Sequence, residues 1–148
     1  MSHVETTGTK FMDLTCLERA AELLGLKLIR GQKTWRWYGR WMNDYDASNA
    51  AYKNGISHED YGKCEHAIVD PDNPGGYEIG IYKHPDGEGW IPVWDNYNNP
   101  TIHKKAGGHE LDKMYRLAGY ESLANENGYD FSWERDENGI KGVITDYS

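Results

Sequence analysis

The stretch Arg30 to Trp41, RGQKTWRWYGRW, carries Arg30, Lys33, Arg36 and Arg40 with Trp35, Trp37 and Trp41 and contains no acid. Indole faces stack on bases, and guanidinium forks pair bidentately with phosphate. Read as an extended ribbon, the stretch puts Trp35, Trp37, Gly39 and Trp41 on one side and Arg36, Tyr38 and Arg40 on the other, because a strand alternates its side chains. Such a ribbon suits a nucleotide-like or phosphate-bearing ligand: Arg30, Lys33, Arg36 and Arg40 neutralise charge while the indoles stack. The plainer alternative has the three Trp covering a sheet face and the cations paired with this protein's own carboxylates.

Other residue types that do chemistry are present without the spacing that chemistry needs. His3, His58, His66, His84, His103 and His109 form no HExxH pattern, and Cys64-Glu65-His66 matches no paired-cysteine metal motif, so no metal site is expected. Asp44, Asp46 and Asn49 lack the glycine and bidentate Glu of a calcium loop. Gly75, Gly76 and Gly80 make no dinucleotide fingerprint because no helix follows, and there is neither a GxSxG nor a Walker loop. A non-catalytic binding protein without a cofactor is the expectation. A hydrolase built on His66 or His103 with an Asp is the outlying alternative.

Charge supplies a second hypothesis. The chain carries −8 overall against +4 in the ribbon, which leaves −12 elsewhere. Residues 121 to 148 hold Glu121, Glu126, Asp130, Glu134, Asp136, Glu137 and Asp146 against Arg135 and Lys141. An acidic face there, with Trp90 and Trp94 as aromatic anchors, fits an interaction module or inhibitor that docks on a basic groove of a host protein. The net charge argues against indiscriminate binding of duplex nucleic acid.

These residues need a frame, and the frame is a hairpin. In GGYEIGIYKHPDGEGWIPVWDNY, Tyr77, Ile79 and Ile81 alternate with Glu78, Gly80 and Tyr82, the period of a strand with one buried face. His84-Pro85-Asp86-Gly87 is turn chemistry, and Trp90 to Trp94 returns, with Pro92 marking an irregular or edge-facing point. Upstream, Val4 to Phe11 is a threonine-rich strand candidate. Asp13 caps a helix carrying Leu14, Leu17, Ala21 and Leu24 on one face, Gly25 stops it, and Leu26, Leu28 and Ile29 begin a strand. Residues from about 30 to 63 read as an inserted excursion, with a helical turn at Ala50 to Lys53. Glu65 to Val69 is the next strand, closed by a turn cluster from Asp70 to Gly76. Asn96 to Gly108 is a loop, His109 to Asn127 a second helix with Leu111, Met114, Tyr115 and Ala118 facing a sheet, and Gly128 its end. Tyr129, Phe131 and Trp133 make a strand that Ile140, Val143 and Ile144 answer across a turn. The order β-α-β-(insertion)-β-β-β-α-β-β predicts an α+β domain with two helices packed on one mainly antiparallel sheet.

At 148 residues the chain suits a single domain. Six Trp and 11 Tyr against two Phe exclude a disordered acidic chain and suit binding surfaces as well as cores. Cys16 and Cys64 offer no disulfide framework, and no apolar run reaches membrane-spanning length. The N-terminal residues lack a signal peptide's apolar centre, so a cytoplasmic protein is expected. A sheet this small leaves edges, and a homodimer through a strand edge or exposed aromatics would cover them.

The opening MSH with Thr9-Lys10 and Asp13, a Leu-rich helix ending in Leu24-Gly25, and Arg30-Gly31 after the second strand form a recognisable series. Tyr77-Glu78-Ile79-Gly80, the Asp86-Gly87 turn before an aromatic strand, and Tyr115 ahead of Gly128 extend it. With these pieces the sequence resembles the family called hypothetical chloroplast reading frame thirty-five, a domain of unknown function found in cyanobacteria, plastids and bacteriophages. The Trp/Arg ribbon and the excursion to residue 63 depart from that pattern. The resemblance implies no catalytic residues. Through the phage members it implies, by analogy, a sequestering factor acting on a host component in the host cytoplasm.

Overall fold

The computed structural model describes residues 4–6, 10–37, 62–95, 100–107, 109–136 and 139–145. In chain order these form β1 (Val4–Glu5), α1 (Leu14–Leu23), β2 (Lys27–Arg30), β3 (His66–Val69), β4 (Ile79–Lys83), β5 (Trp90–Asp95), α2 (Thr101–Ala106), α3 (Glu110–Glu126), β6 (Asp130–Asp136) and β7 (Gly139–Thr145). The first five strands make one antiparallel sheet in the order β1-β5-β4-β3-β2, and β6 and β7 pair separately. The fold is α+β, as the sequence predicts. No helix among the described residues is long and apolar enough to cross a membrane.

Local chemistry accounts for the first helix. Asp13 accepts from the Thr15 and Cys16 amides at 2.9 and 3.1 Å, the N-cap arrangement, which contributes about 1 kcal/mol. Gly25 follows the last turn at φ 75°, where a Cβ would be strained. The apolar face of α1, with Leu17, Ala20 and Ala21, meets Leu111, Met114 and Leu117 of α3 over Leu28, Ile68, Ile79 and Ile81 of the sheet. Tyr115 locks the two helices together. Its hydroxyl accepts from the Met12 and Asp13 amides at 3.1 and 2.9 Å, and its ring meets Phe11 edge-on at 4.7 Å.

The central hairpin forms where the sequence places it, with Ile81 opposite Pro92 and Lys83 opposite Trp90. Asp86 pins its turn by accepting from Lys10 and from the Glu88 amide, contacts that hold its carboxyl down at about 2. Pro92 has a specific explanation. The Trp90 amide points away from β4 to the Phe11 carbonyl at 2.8 Å, so the missing N–H of Pro92, two residues on, falls on that same outer side. It sits between the Phe11 bridge and the point where β1 meets Trp94 and Asp95, so no ladder bond is lost.

One expectation about this hairpin is corrected. Its two faces are both buried, not one: Ile79 and Ile81 face the helices, while Tyr82, Ile91 and Val93 join Ala67, Cys64 and Trp35 in a second cluster on the opposite side. Gly80 explains how. A Cβ there would lie 2.5 Å from Trp35 Cδ1 and 2.7 Å from its Nε1, so the indole rests directly on the strand backbone. The alternation reads as one-sided because a glycine, not an apolar side chain, stands at the covered position.

Three further readings change. The strand expected from Val4 to Phe11 is the two-residue β1 plus an isolated bridge between Phe11 and Trp90, with 7–9 outside the described residues. The loop expected from Asn96 to Gly108 contains α2, whose Lys105 ammonium holds the buried Asp70 at 3.0 Å and ties the helix to the end of β3. Finally, β6 and β7 do not extend the main sheet. They form a hairpin of their own, joined to α3 by an Arg135–Glu110 ion pair at 2.6 Å and by Phe131, Trp133 and Ile140 against the core. The helical turn expected at Ala50 to Lys53, like most of the excursion, lies outside the described residues.

Candidate functional site

The described cations of the ribbon are engaged within the protein. Arg30 reaches Glu18 at 3.4 Å and Thr15 Oγ1 at 3.2 Å, and Lys33 reaches Glu65 at 2.8 Å. Arg36 donates to the Pro74 and Gly76 carbonyls at 3.0 and 3.2 Å, while its own amide donates to Glu78 at 2.8 Å. The ribbon is thereby stitched to the turn that leads into β4. Trp35 is 3% exposed and donates its indole N–H to Tyr82 Oη at 2.7 Å. That burial corrects the expectation that Trp35 stacks on a ligand. Trp37 is half-buried against the same cluster, its ring 5.9 Å from that of Trp35. Arg40 and Trp41 lie outside the described residues.

The aromatic anchors proposed for a protein partner divide. Trp94 is 2% exposed, its indole N–H on His103 Nδ1 at 2.9 Å, which corrects its reading as a surface anchor. Trp90 is half-buried between His66, edge-on at 4.8 Å, and the Lys83 ammonium, 4.5 Å over its face. Glu134 is exposed on β6, Asp136 ends that strand, and Glu137 lies outside the described residues. Among the described residues, no three His, Cys, Asp or Glu side chains gather as metal ligands.

His66 has a structural task that titrates. Its Nδ1 accepts from the Gly31 amide at 2.9 Å, which requires that nitrogen unprotonated. Burial, and then the nearby Lys33 and Arg30 cations, lower its pKa below the ordinary value of 6.5. The neutral form is favoured in the folded state, so this contribution is complete above 6.5 and is lost as pH falls through the lowered folded value. Urea midpoints taken between pH 7 and pH 5 are expected to fall, with a shallower fall in His66→Gln. Parallel slopes for the two proteins would remove this role from His66.

A cavity of about 540 Å³ lies elsewhere, between α3 and the β6–β7 hairpin. Its helical wall is Lys113, Arg116, Leu117 and Tyr120, the i, i+3, i+4, i+7 spacing of one helix face. Its other wall is Phe131, Ile140, Gly142 and Ile144, the inward positions of the two strands. A Cβ on Gly142 would sit 3.0 Å from two atoms of the Phe131 ring, so the glycine leaves room for that ring to approach the β7 backbone closely. Tyr120 and Ile144 remain 58% and 47% exposed at the rim.

The charges at this cavity are asymmetric. Glu110 is shared by Arg135 at 2.6 Å and Lys113 at 3.5 Å. Arg19, Arg30, Arg36 and Arg135 each have protein partners, whereas Arg116 forms no hydrogen bond or ion pair with any described residue. A guanidinium without a partner among the described residues therefore stands beside an apolar cleft. A second groove, between α1 and α3, differs in kind. Arg19 there is held by Glu121 at 2.9 Å, and the Cys16 thiol is pushed up to about 11 by burial and then by Asp13, so it stays protonated at neutral pH.

Sequence reasoning misses the cavity because each wall alone looks ordinary. Leu111, Met114, Tyr115 and Ala118 satisfy the helix's demand for a buried face, which leaves Lys113, Arg116 and Tyr120 to be read as solvated. The available signal was the adjacent register: a helix face with Leu117 amid cations, followed at once by two alternating apolar strands. Comparison with protein-family models, curated proteins and solved structures finds no match to this chain.

Proposed function

We propose that this chain is a small binding domain whose ligand is an anion with an apolar body, held between α3 and the β6–β7 hairpin. The observation that carries this reading is Arg116 beside an apolar cavity without a carboxylate partner among the described residues. The volume, about 540 Å³, falls in the range of small-molecule sites, roughly 300–1,000 Å³. Leu117, Phe131, Ile140 and Ile144 would cover the ligand's apolar part, and Tyr120 offers a ring edge and a hydroxyl. Arg116 would take a phosphate or carboxylate in its fork, with Lys113 adding charge. A nucleotide-like molecule is one member of this class.

Binding rather than turnover is supported by the lining itself. The described residues that line the cavity include no carboxylate, imidazole or thiol to move a proton near neutral pH. Both thiols of the chain sit elsewhere and are raised to about 11, chiefly by burial.

Calorimetric titration with naphthyl phosphate, naphthol and inorganic phosphate tests the site. Naphthyl phosphate is expected to bind, with naphthol and inorganic phosphate each weaker. Arg116→Gln is expected to weaken naphthyl phosphate about tenfold or more, as loss of a charge-assisted contact implies. Equal affinity for naphthol, or no change in Arg116→Gln, defeats the assignment.

A further inference from the structure

The β6–β7 hairpin has two outer edges of opposite character. β6, Asp130–Asp136, carries Asp130, Glu134, Arg135 and Asp136, charges that discourage another strand from adding to it. β7, GIKGVIT, has Lys141 as its single charge, no proline, and four β-branched residues. Among the described residues β7 pairs with β6 alone, and Val143 and Ile144 are 43% and 47% exposed. A seven-residue strand of this composition, whose outer row of amides and carbonyls pairs with no other described strand, is a template for strand addition.

We propose that the strand it receives is β7 of a second copy of this chain, antiparallel, about a two-fold axis at Gly142. Gly142 is the midpoint of Gly139–Thr145, so this register overlaps all seven residues. It sets Gly142 against its own counterpart, with no side chain crowding the axis. Ile140 then faces the partner's Ile144, and Lys141 faces the partner's Val143. Residues that face each other directly in an antiparallel ladder must share a face, and they do: Ile140 and Ile144 both line the α3 cavity, while Lys141 and Val143 both belong to the outer face. A register centred on Lys141 would oppose two ammonium groups and shorten the overlap. The result is a four-stranded sheet, β6-β7-β7-β6, whose two α3 cavities adjoin across the axis. The contact is isologous, so it closes at two copies.

Sedimentation velocity on the full chain over a wide concentration range is the test. The wild type is expected at twice the 17.0 kDa chain mass. V143K places two like-charge pairs across the axis and is expected to raise the dimer dissociation constant about tenfold or more. V143E places two opposite-charge pairs and is expected to remain dimeric, as is the charge-swapped double variant K141E/V143K. Val143 is exposed and does not line the cavity, so the variants leave the ligand site intact, and an unchanged circular dichroism spectrum confirms the fold. A wild type that stays at the single-chain mass throughout overturns the proposal. So does a V143K dimer as tight as wild type, or V143E dissociating as readily as V143K.

Discussion

Gly80→Ala is expected to cost about 3 kcal/mol of stability, and Gly80→Val more, although both residues favour strands over glycine. On an ordinary strand the alanine change would help by about 0.5–1 kcal/mol, because glycine loses more backbone freedom on folding. Here the new methyl group would enter the Trp35 indole, with three ring atoms between 2.5 and 2.8 Å away, far inside van der Waals contact. Neither neighbour can yield easily. Gly80 is held in the ladder opposite Val93 and Ala67, and Trp35 is held by its bond to Tyr82. Chemical denaturation of the two variants reads the effect directly. A Gly80→Ala protein as stable as wild type would mean that the indole does not rest there.

Trp35→Ala is the second large effect, about 3–5 kcal/mol, the usual cost of emptying a site filled by a buried indole. Trp35→Phe keeps much of the ring but removes the donor to Tyr82, so a further loss of about 1 kcal/mol beyond the volume change is expected. This separates a structural tryptophan from a ligand-stacking one. An indole presented to a visitor can be truncated with little loss of stability and a large loss of affinity; the reverse is expected for Trp35. The two substitutions also couple. With the indole gone, Gly80→Ala meets empty space, so its cost should vanish or change sign in the Trp35→Ala background. Additive losses in that double variant would break the link between the two residues.

These outcomes bear on how the ribbon is understood. Its described arginines and lysine bind a neighbouring helix residue, a turn and an adjacent acid, and its first indole plugs a glycine on the sheet. A cationic aromatic stretch in an acidic chain thus serves as internal stitching over its described length. The corresponding lesson for Arg116 is that an isolated arginine in a polar helix face attracts no notice until a hairpin folds against it.

What the sequence determines by itself is local. Asp13 as a helix cap, Gly25 as its stop, the Asp86-Gly87 reversal and the alternation of β6 and β7 each rest on interactions within a few residues, and all of them appear in the structure. The α+β class follows from the order of those elements. What only the tertiary structure decides is pairing across distance. Period-two alternation marks a strand but does not say which sheet it joins, so β6 and β7 are read into the main sheet when they stand apart. Residue type likewise leaves open whether a tryptophan is buried or offered. Trp35 is settled by Gly80, 45 positions away in sequence, and the cavity by α3 meeting strands whose inward faces carry no mark of their partner. The reason is physical: backbone hydrogen bonds and caps act between near neighbours, whereas burial depends on the surface that happens to lie opposite.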